Sequence, residues 1–238
     1  MIEKTVKFCC RNCGSENIVK NGLDYKKSQK FRCNDCKCYG TVELTNGYSF
    51  EKKVEILKAY QERSSMRGIQ RVFGVALTTL ARWLTKFGDC LPSLEESLQE
   101  AKPDDVLELD ELWSFVYSKD NKRWVWIALC RRTRQVVAYY VGDRSAESAN
   151  ELWKRIPEKY RGCNSFSDYW EAYNNVFPNN EAVGKDSGET NHVERWNNTL
   201  RQRLGRFVRK SLSFSKSDYF HNLVLFIFIF SYNMNLIS

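Results

Sequence analysis

Two sets of side chains in this sequence could do chemistry. Cys10 and Cys13, followed by Cys33 and Cys36, form two C-x-x-C pairs with 19 residues between them. At that spacing each pair can turn back on itself, and four thiolates can meet in a tetrahedron around one zinc ion. Cys9 and Cys38 sit beside the pairs and could substitute as ligands, so the site is better fixed than the individual sulfurs. A redox C-x-x-C would need a surrounding βαβ pattern, which this region lacks. The second set is acidic: Asp110 inside a β-prone run, Asp168 directly after another, and Glu194 in a polar helical stretch. Carboxylates brought together stay ionised only beside a cation. Magnesium, or manganese in its place, suits an all-oxygen site that leaves positions open for phosphate. Two such ions about 3.5 to 4 Å apart would activate water or a 3′-hydroxyl and stabilise the leaving oxygen at phosphorus. Taken singly, each acid also reads as an ordinary solvated charge. Glu108 and Glu111 compete with Asp110, because alternation places Glu108 on its face of the strand and Glu111 on the other; periodicity leaves that choice open.

The elements that must position these groups follow from composition and period. Residues 1–45 hold the cysteine pairs, short β-prone stretches at Asn17 to Val19 and Lys30 to Arg32, and a turn signal at Asn21-Gly22. So few large apolar side chains cannot fold so short a segment without a metal, and the pattern is that of a zinc ribbon. Between residues 46 and 90 apolar residues recur at helical spacing in three short blocks, with Ser64-Ser65 available as a cap and Gly74 as a break. The stretch RGIQRVFGVALTTLARWL resembles a helix-turn-helix, whose last helix would offer Thr78, Thr79 and Arg82 to DNA. Residues 91–105 are acidic, contain two prolines and read as a linker or short bridging helix. From residue 106 to 238 the period changes: three β-rich runs with short polar turns, a helix from Ala146 to Arg155, a strand from Cys163 to Ser167, and a long polar helix from Asn191 to Phe207. That order gives the α/β class with a mixed sheet and flanking helices, the ribonuclease H-like arrangement. Asp110 and Asp168 would then lie side by side on adjacent strands, with Glu194 dropped onto them from a crossing helix.

The totals restrict the partners. A net charge of +8, concentrated before residue 90 and again from Arg195 to Lys216, favours a polyanion. Nine cysteines without a secretory leader pattern favour a reducing cytoplasm over a disulfide framework. The apolar run Leu223 to Phe230 is too short to span a bilayer, so no membrane role is expected.

LDELWSFV, SDYWEAY and HVERWNNTLRQRLGRFVRKSLSFSKS resemble the insertion-sequence-one family of bacterial transposases. The resemblance implies a zinc ribbon and helix-turn-helix joined to a DDE catalytic domain, hydrolytic release of a 3′-hydroxyl at the ends of a mobile element, and its attack on target DNA. It places Asp110, Asp168 and Glu194 as the metal-holding triad. Arg201, two helical turns after Glu194, matches a basic residue that members place near DNA phosphates. The interval between Asp168 and Glu194 is shorter than in many other DDE transposases. Arg203, Arg206, Arg209 and Lys210 continue the basic run as a phosphate track, assisted by Ser211, Ser213, Ser215 and Ser217. The expected partners are double-stranded transposon ends and target DNA, with at least a homodimer formed on them, at the nucleoid of a prokaryotic cytoplasm. A DNA-binding regulator with an inactive transposase-derived domain is the alternative, and a hydrolytic nuclease that never joins strands is a third reading.

Overall fold

The computed structural model describes residues 8–25, 27–41 and 47–237, with only the backbone of Lys185. Of the expected ribbon, residues 1–7, Lys26 and 42–45 lie outside the described residues, as does residue 46 at the start of the expected helical module. The chain divides into two compact units, residues 1–55 and 56–238.

In the first unit, β1 (Ile18–Leu23), β2 (Gln29–Cys33) and β3 (Tyr39–Thr41) form an antiparallel sheet in that order. The Asn21-Gly22 signal does not reverse the chain. Gly22 takes φ 71° where the β1–β2 register slips between Lys20 and Leu23, and the reversal comes after Leu23. Among the described residues of this unit the buried apolar side chains are Cys10 and Cys33, while Tyr39 and Val19 remain exposed. Burial that slight cannot offset the entropy of ordering the segment, so its stability must come from whatever joins the cysteines.

Three helices precede the second sheet: α1 (Phe50–Tyr60), α2 (Met66–Phe73) and α3 (Leu77–Cys90). Ser65 caps α2 by accepting the Gly68 N–H at 2.9 Å. Gly74 ends it with φ 71°, a conformation that a side chain disfavours, and Val75 is buried in the turn. Residues 91–105 do not run free of the fold: Gln135 Nε2 donates to Ser97 O, and the Gln99 N–H donates to Gln135 Oε1.

The second sheet comprises β4 (Val106–Phe115), β5 (Lys122–Cys130), β6 (Val136–Gly142), β7 (Asn164–Ser167) and β8 (Asn180–Ala182), in the order β6-β5-β4-β7-β8. β4, β5 and β6 are antiparallel neighbours, whereas β7 lies parallel to β4 and β8 parallel to β7. This is a mixed sheet of the ribonuclease H-like arrangement. Helices α4 (Ala146–Arg155), α5 (Glu158–Arg161), α6 (Glu171–Val176), α7 (Asn191–Arg203) and α8 (Asp218–Asn235) complete it. Alternation along β4 divides the layers. Leu107 and Leu109 pack with Trp126, Ala128, Leu152 of α4 and Tyr173 of α6, while α7 packs along β4 on the face that carries Glu108 and Asp110.

Helix α7 is shorter than its sequence suggests: the stretch expected to be helical to Phe207 leaves the helix after Arg203. Close packing accounts for the break. A Cβ at Gly205 would lie 3.2 Å from the Arg63 carbonyl oxygen, and Arg206 and Phe207 turn into the interior. Helix α8 buries Val224, Leu225, Ile227, Phe228 and Ile229. Its Asn233 accepts the Val136 N–H and donates to the Val136 carbonyl, covering the open edge of β6 as another strand would. Among the described residues, no helix is long and apolar enough to cross a membrane.

Candidate active site

Parallel pairing of β4 and β7 matches Glu108 with Phe166. Continuing that register by two residues sets Asp110 beside Asp168, which directly follows β7. Burial pushes the Asp110 carboxyl up to about 7, and the charges of Glu111 and Asp168 add to the shift against the hydrogen bond from Asn197. Asp168 Oδ1 accepts the Trp170 N–H at 3.1 Å, which orients its carboxylate.

Helix α7 meets β4 at three successive points. Its first turn rests on Glu108, whose fully buried carboxylate accepts the N–H groups of His192 at 2.9 Å and Val193 at 3.1 Å. A carboxylate there satisfies free donors and favours the positive end of the helix. Arg131 donates to the same carboxylate at 2.8 Å, and His192 Nδ1 lies 2.6 Å from it. Further along, Asn197 Nδ2 donates to Asp110 Oδ2 at 2.7 Å; one turn beyond, Arg201 donates to the Trp113 carbonyl at 3.0 Å. Glu194 lies between the first two contacts, on the stripe that it shares with Asn197 and Arg201. Its Oε1 accepts the Thr190 hydroxyl at 3.3 Å. Asp110 and Asp168 are thus brought into electrostatic contact, and Glu194 stands on the helix that packs against β4 and is tied to Asp110 through Asn197. The three acids are not drawn to ligand spacing: among the described residues, only the cysteines form a group whose ligand atoms all lie within 4.8 Å.

The three acids of β4 part company. Glu108 is spent on holding α7, and breaking such a buried pair would cost roughly 3–5 kcal/mol. Glu111, on the opposite face, accepts the Tyr173 hydroxyl at 2.8 Å and pairs with Arg144 at 2.5 Å. Burial raises its carboxyl, with Asp168 adding to the effect and Tyr173 and Arg144 opposing it. That leaves Asp110 facing α7, where its carboxylate accepts the Asn197 amide N–H.

The basic residues also divide. Arg201 gives two donors to the backbone carbonyls of Trp113 and Phe207; burial, then the Arg209 charge, lower its guanidinium to about 10. Arg203 pairs with Glu62 and lies over the Phe228 ring. Arg206, expected on a phosphate, is corrected by the structure: it is 9% exposed and donates to the Tyr60 hydroxyl, to Ser215 Oγ and to the Phe220 carbonyl. Ser215 is likewise internal, bonded to His221 Nδ1 at 2.8 Å, and Ser217 caps α8. Arg209 and Lys210 are exposed and line a cavity of about 410 Å³ with Tyr117 and Lys119. On α3, Thr78 and Arg82 are exposed and Thr79 is half-buried.

In the first unit, Cys10 Sγ lies 3.5 Å from Cys36 Sγ, and Cys13 Sγ 3.7 Å from Cys33 Sγ. Both distances are far too long for a disulfide, and both approach the edge of about 3.8 Å that four sulfurs bound at 2.3 Å would define. The Asn12 N–H, 3.5 Å from Cys10 Sγ, holds that thiol below its ordinary value. This donor set fits zinc.

Asn197, Arg144 and the anchoring role of Glu108 escaped sequence reasoning. The signal for Asn197 was its position one turn after Glu194, and for Glu108 its alternation with Asp110.

A mixed sheet of this order, with one aspartate on its central strand and another just past the neighbouring parallel strand, defines the ribonuclease H-like class of α/β domain. The family model described as IS1 transposase matches residues 106–234. The insertion element iso-IS1n protein InsB of Shigella dysenteriae is 38% identical over 125 residues, 52% of this chain and 93% of that protein. The insertion element IS1 protein InsB of Shigella flexneri is 35% identical over 118 residues, 50% and 88% of the two chains. The insertion element IS1 4 protein InsB of Escherichia coli (strain K12) is 34% identical over 118 residues, 50% and 70%. The chain belongs to the IS1 transposase family. Its role is that of a transposase, a DNA-binding and DNA-cleaving enzyme.

Proposed function

We propose that the protein binds the terminal inverted repeats of an insertion sequence, releases their 3′ ends by hydrolysis and transfers them to target DNA. Asp110, Asp168 and Glu194 would hold two magnesium or manganese ions. Bound there, such ions would supply a nucleophile at neutral pH and charge stabilisation at phosphorus. The observation that carries this reading is the partly unpaired Asp110 beside Asp168, its carboxyl raised by burial and neighbouring charge. Two acids whose like charges oppose each other's ionisation are poised to accept a cation. Asn197 orients the Asp110 carboxylate, Glu108 holds the helix that carries Glu194, and Trp170 orients Asp168.

The modules divide the work. Residues 1–45 act as a zinc ribbon and residues 46–90 as a helix-turn-helix, with Thr78, Thr79 and Arg82 presented to the major groove. Residues 106–238 form the DDE domain, with Arg209 and Lys210 on phosphate and Arg201 tying α7 to β4. Pairing two element ends calls for at least a dimer on DNA, acting at the nucleoid of a prokaryotic cell.

The test is metal-dependent nicking and strand transfer on terminal-repeat DNA by the wild type and by Asp110→Asn, Asp168→Asn and Glu194→Gln. Wild-type joining lost in all three supports the reading. Cut ends that are never joined favour a nuclease, while end binding without nicking in any form favours a regulator.

A further inference from the structure

We propose that Arg144 is a positioning residue for Asp168, an inference that rests on the reading of Asp110 and Asp168 as metal-holding groups. Arg144 projects from the short loop between β6 and α4, and that loop is a rigid support. The Asp143 carbonyl accepts the indole N–H of Trp126 at 2.8 Å, and Asp143 Oδ1 accepts the hydroxyls of Ser145 and Ser148 at 2.5 and 2.6 Å. From there the guanidinium enters a slot between two indoles, its carbon 4.8 Å from the Trp124 ring centre and 4.3 Å from that of Trp170. Nη2 meets Glu111 Oε1 at 2.5 Å, and the Glu111 side chain is only 3% exposed.

Trp170 links this slot to the site. Its backbone N–H donates to Asp168 Oδ1, so the orientation of the carboxylate follows the placement of residue 170. The indole N–H is buried with no hydrogen-bond partner among the described residues, so packing and the stacked cation set where the ring lies. A planar guanidinium can stack on both indoles while its edge holds a carboxylate, and an ammonium cannot. Arg144 also balances the Glu111 charge next to Asp110, leaving the Asp110 and Asp168 carboxylates for a cation.

Mn²⁺ binding to the full chain, loaded with zinc so that the cysteines are filled, tests this by electron paramagnetic resonance. Arg144→Ala and Arg144→Lys should each weaken Mn²⁺ binding about tenfold, in the range seen when groups that orient metal ligands are removed. Wild-type affinity in Arg144→Ala overturns the proposal. Full affinity in Arg144→Lys also overturns it, because charge without stacking would then suffice. Near-UV circular dichroism monitors folding, and Arg144→Lys decides the matter if Arg144→Ala fails to fold. Asp110→Asn and Asp168→Asn serve as references. If they too bind Mn²⁺ like the wild type, the metal site itself fails; if they lose binding while both Arg144 variants keep it, only the role of Arg144 falls.

Discussion

Asn197 donates its carboxamide N–H to Asp110 across the junction of α7 and β4, at 2.7 Å. That bond orients an acid that burial and like charges otherwise work to keep protonated. The raised Asp110 carboxyl is therefore a stability cost built into the site. An unfolded chain releases this proton from about pH 3.8 upward, whereas the folded protein holds it to about 7, so folding stability is lost as pH rises through that window.

Asp110→Asn should accordingly stabilise the metal-free protein at pH 7.5, by roughly 2–4 kcal/mol, while abolishing cleavage. Chemical denaturation in the presence of a chelator measures it. A variant no more stable than the wild type would show that the carboxylate is not strained by its surroundings.

His221 sets a dependence of opposite sign. It is fully buried against Phe207, with ring centres 4.6 Å apart, and burial followed by the Arg206 charge lowers it to about 4. The unfolded chain takes up this proton below about pH 6.5 and the folded protein only near 4, so stability falls as pH drops across that interval. Between pH 7.5 and 5 the wild type should lose about 2 kcal/mol more than His221→Phe does, measured by urea titration. Equal losses would contradict the assignment.

Arg209 and Lys210 should behave differently from Arg206. Replacing the two exposed cations by alanine should reduce the slope of log affinity for terminal-repeat DNA against log salt by about 2. Arg206→Met should leave the slope unchanged and lower the melting temperature, because it removes donors from Tyr60, Ser215 and Phe220. A changed slope in Arg206→Met would return that side chain to the DNA.

Removing zinc should unfold the ribbon alone. With Cys10 and Cys33 as the buried apolar side chains among the described residues of the first unit, chelation or Cys33→Ser should collapse the amide dispersion of residues 18–41. Signals from the mixed sheet should persist and end binding should weaken. Retained dispersion in the metal-free ribbon, observed by NMR, would contradict this.

Much of the architecture was legible because it is written in local period. The expected helix from Ala146 to Arg155 matches α4 residue for residue, and the three expected β-rich runs appear in order as β4, β5 and β6. Helix α6 and strand β8 were not legible: each is short, and β8 is a strand only because β7 offers it an edge. Of the site, the acids were visible as residues, but their partners were not.

What the sequence determined alone is therefore what neighbours along the chain decide: cysteine spacing, alternation in β4, the Gly74 break and the basic run after Glu194. Tertiary structure decided which of Glu108, Asp110 and Glu111 faces Asn197 of α7 beside Asp168, and which arginines are ties within the fold. That division arises because partner identity depends on strand register and on where α7 crosses β4. Those contacts join residues such as Glu108 and Val193, far apart in the chain, and no local pattern encodes them.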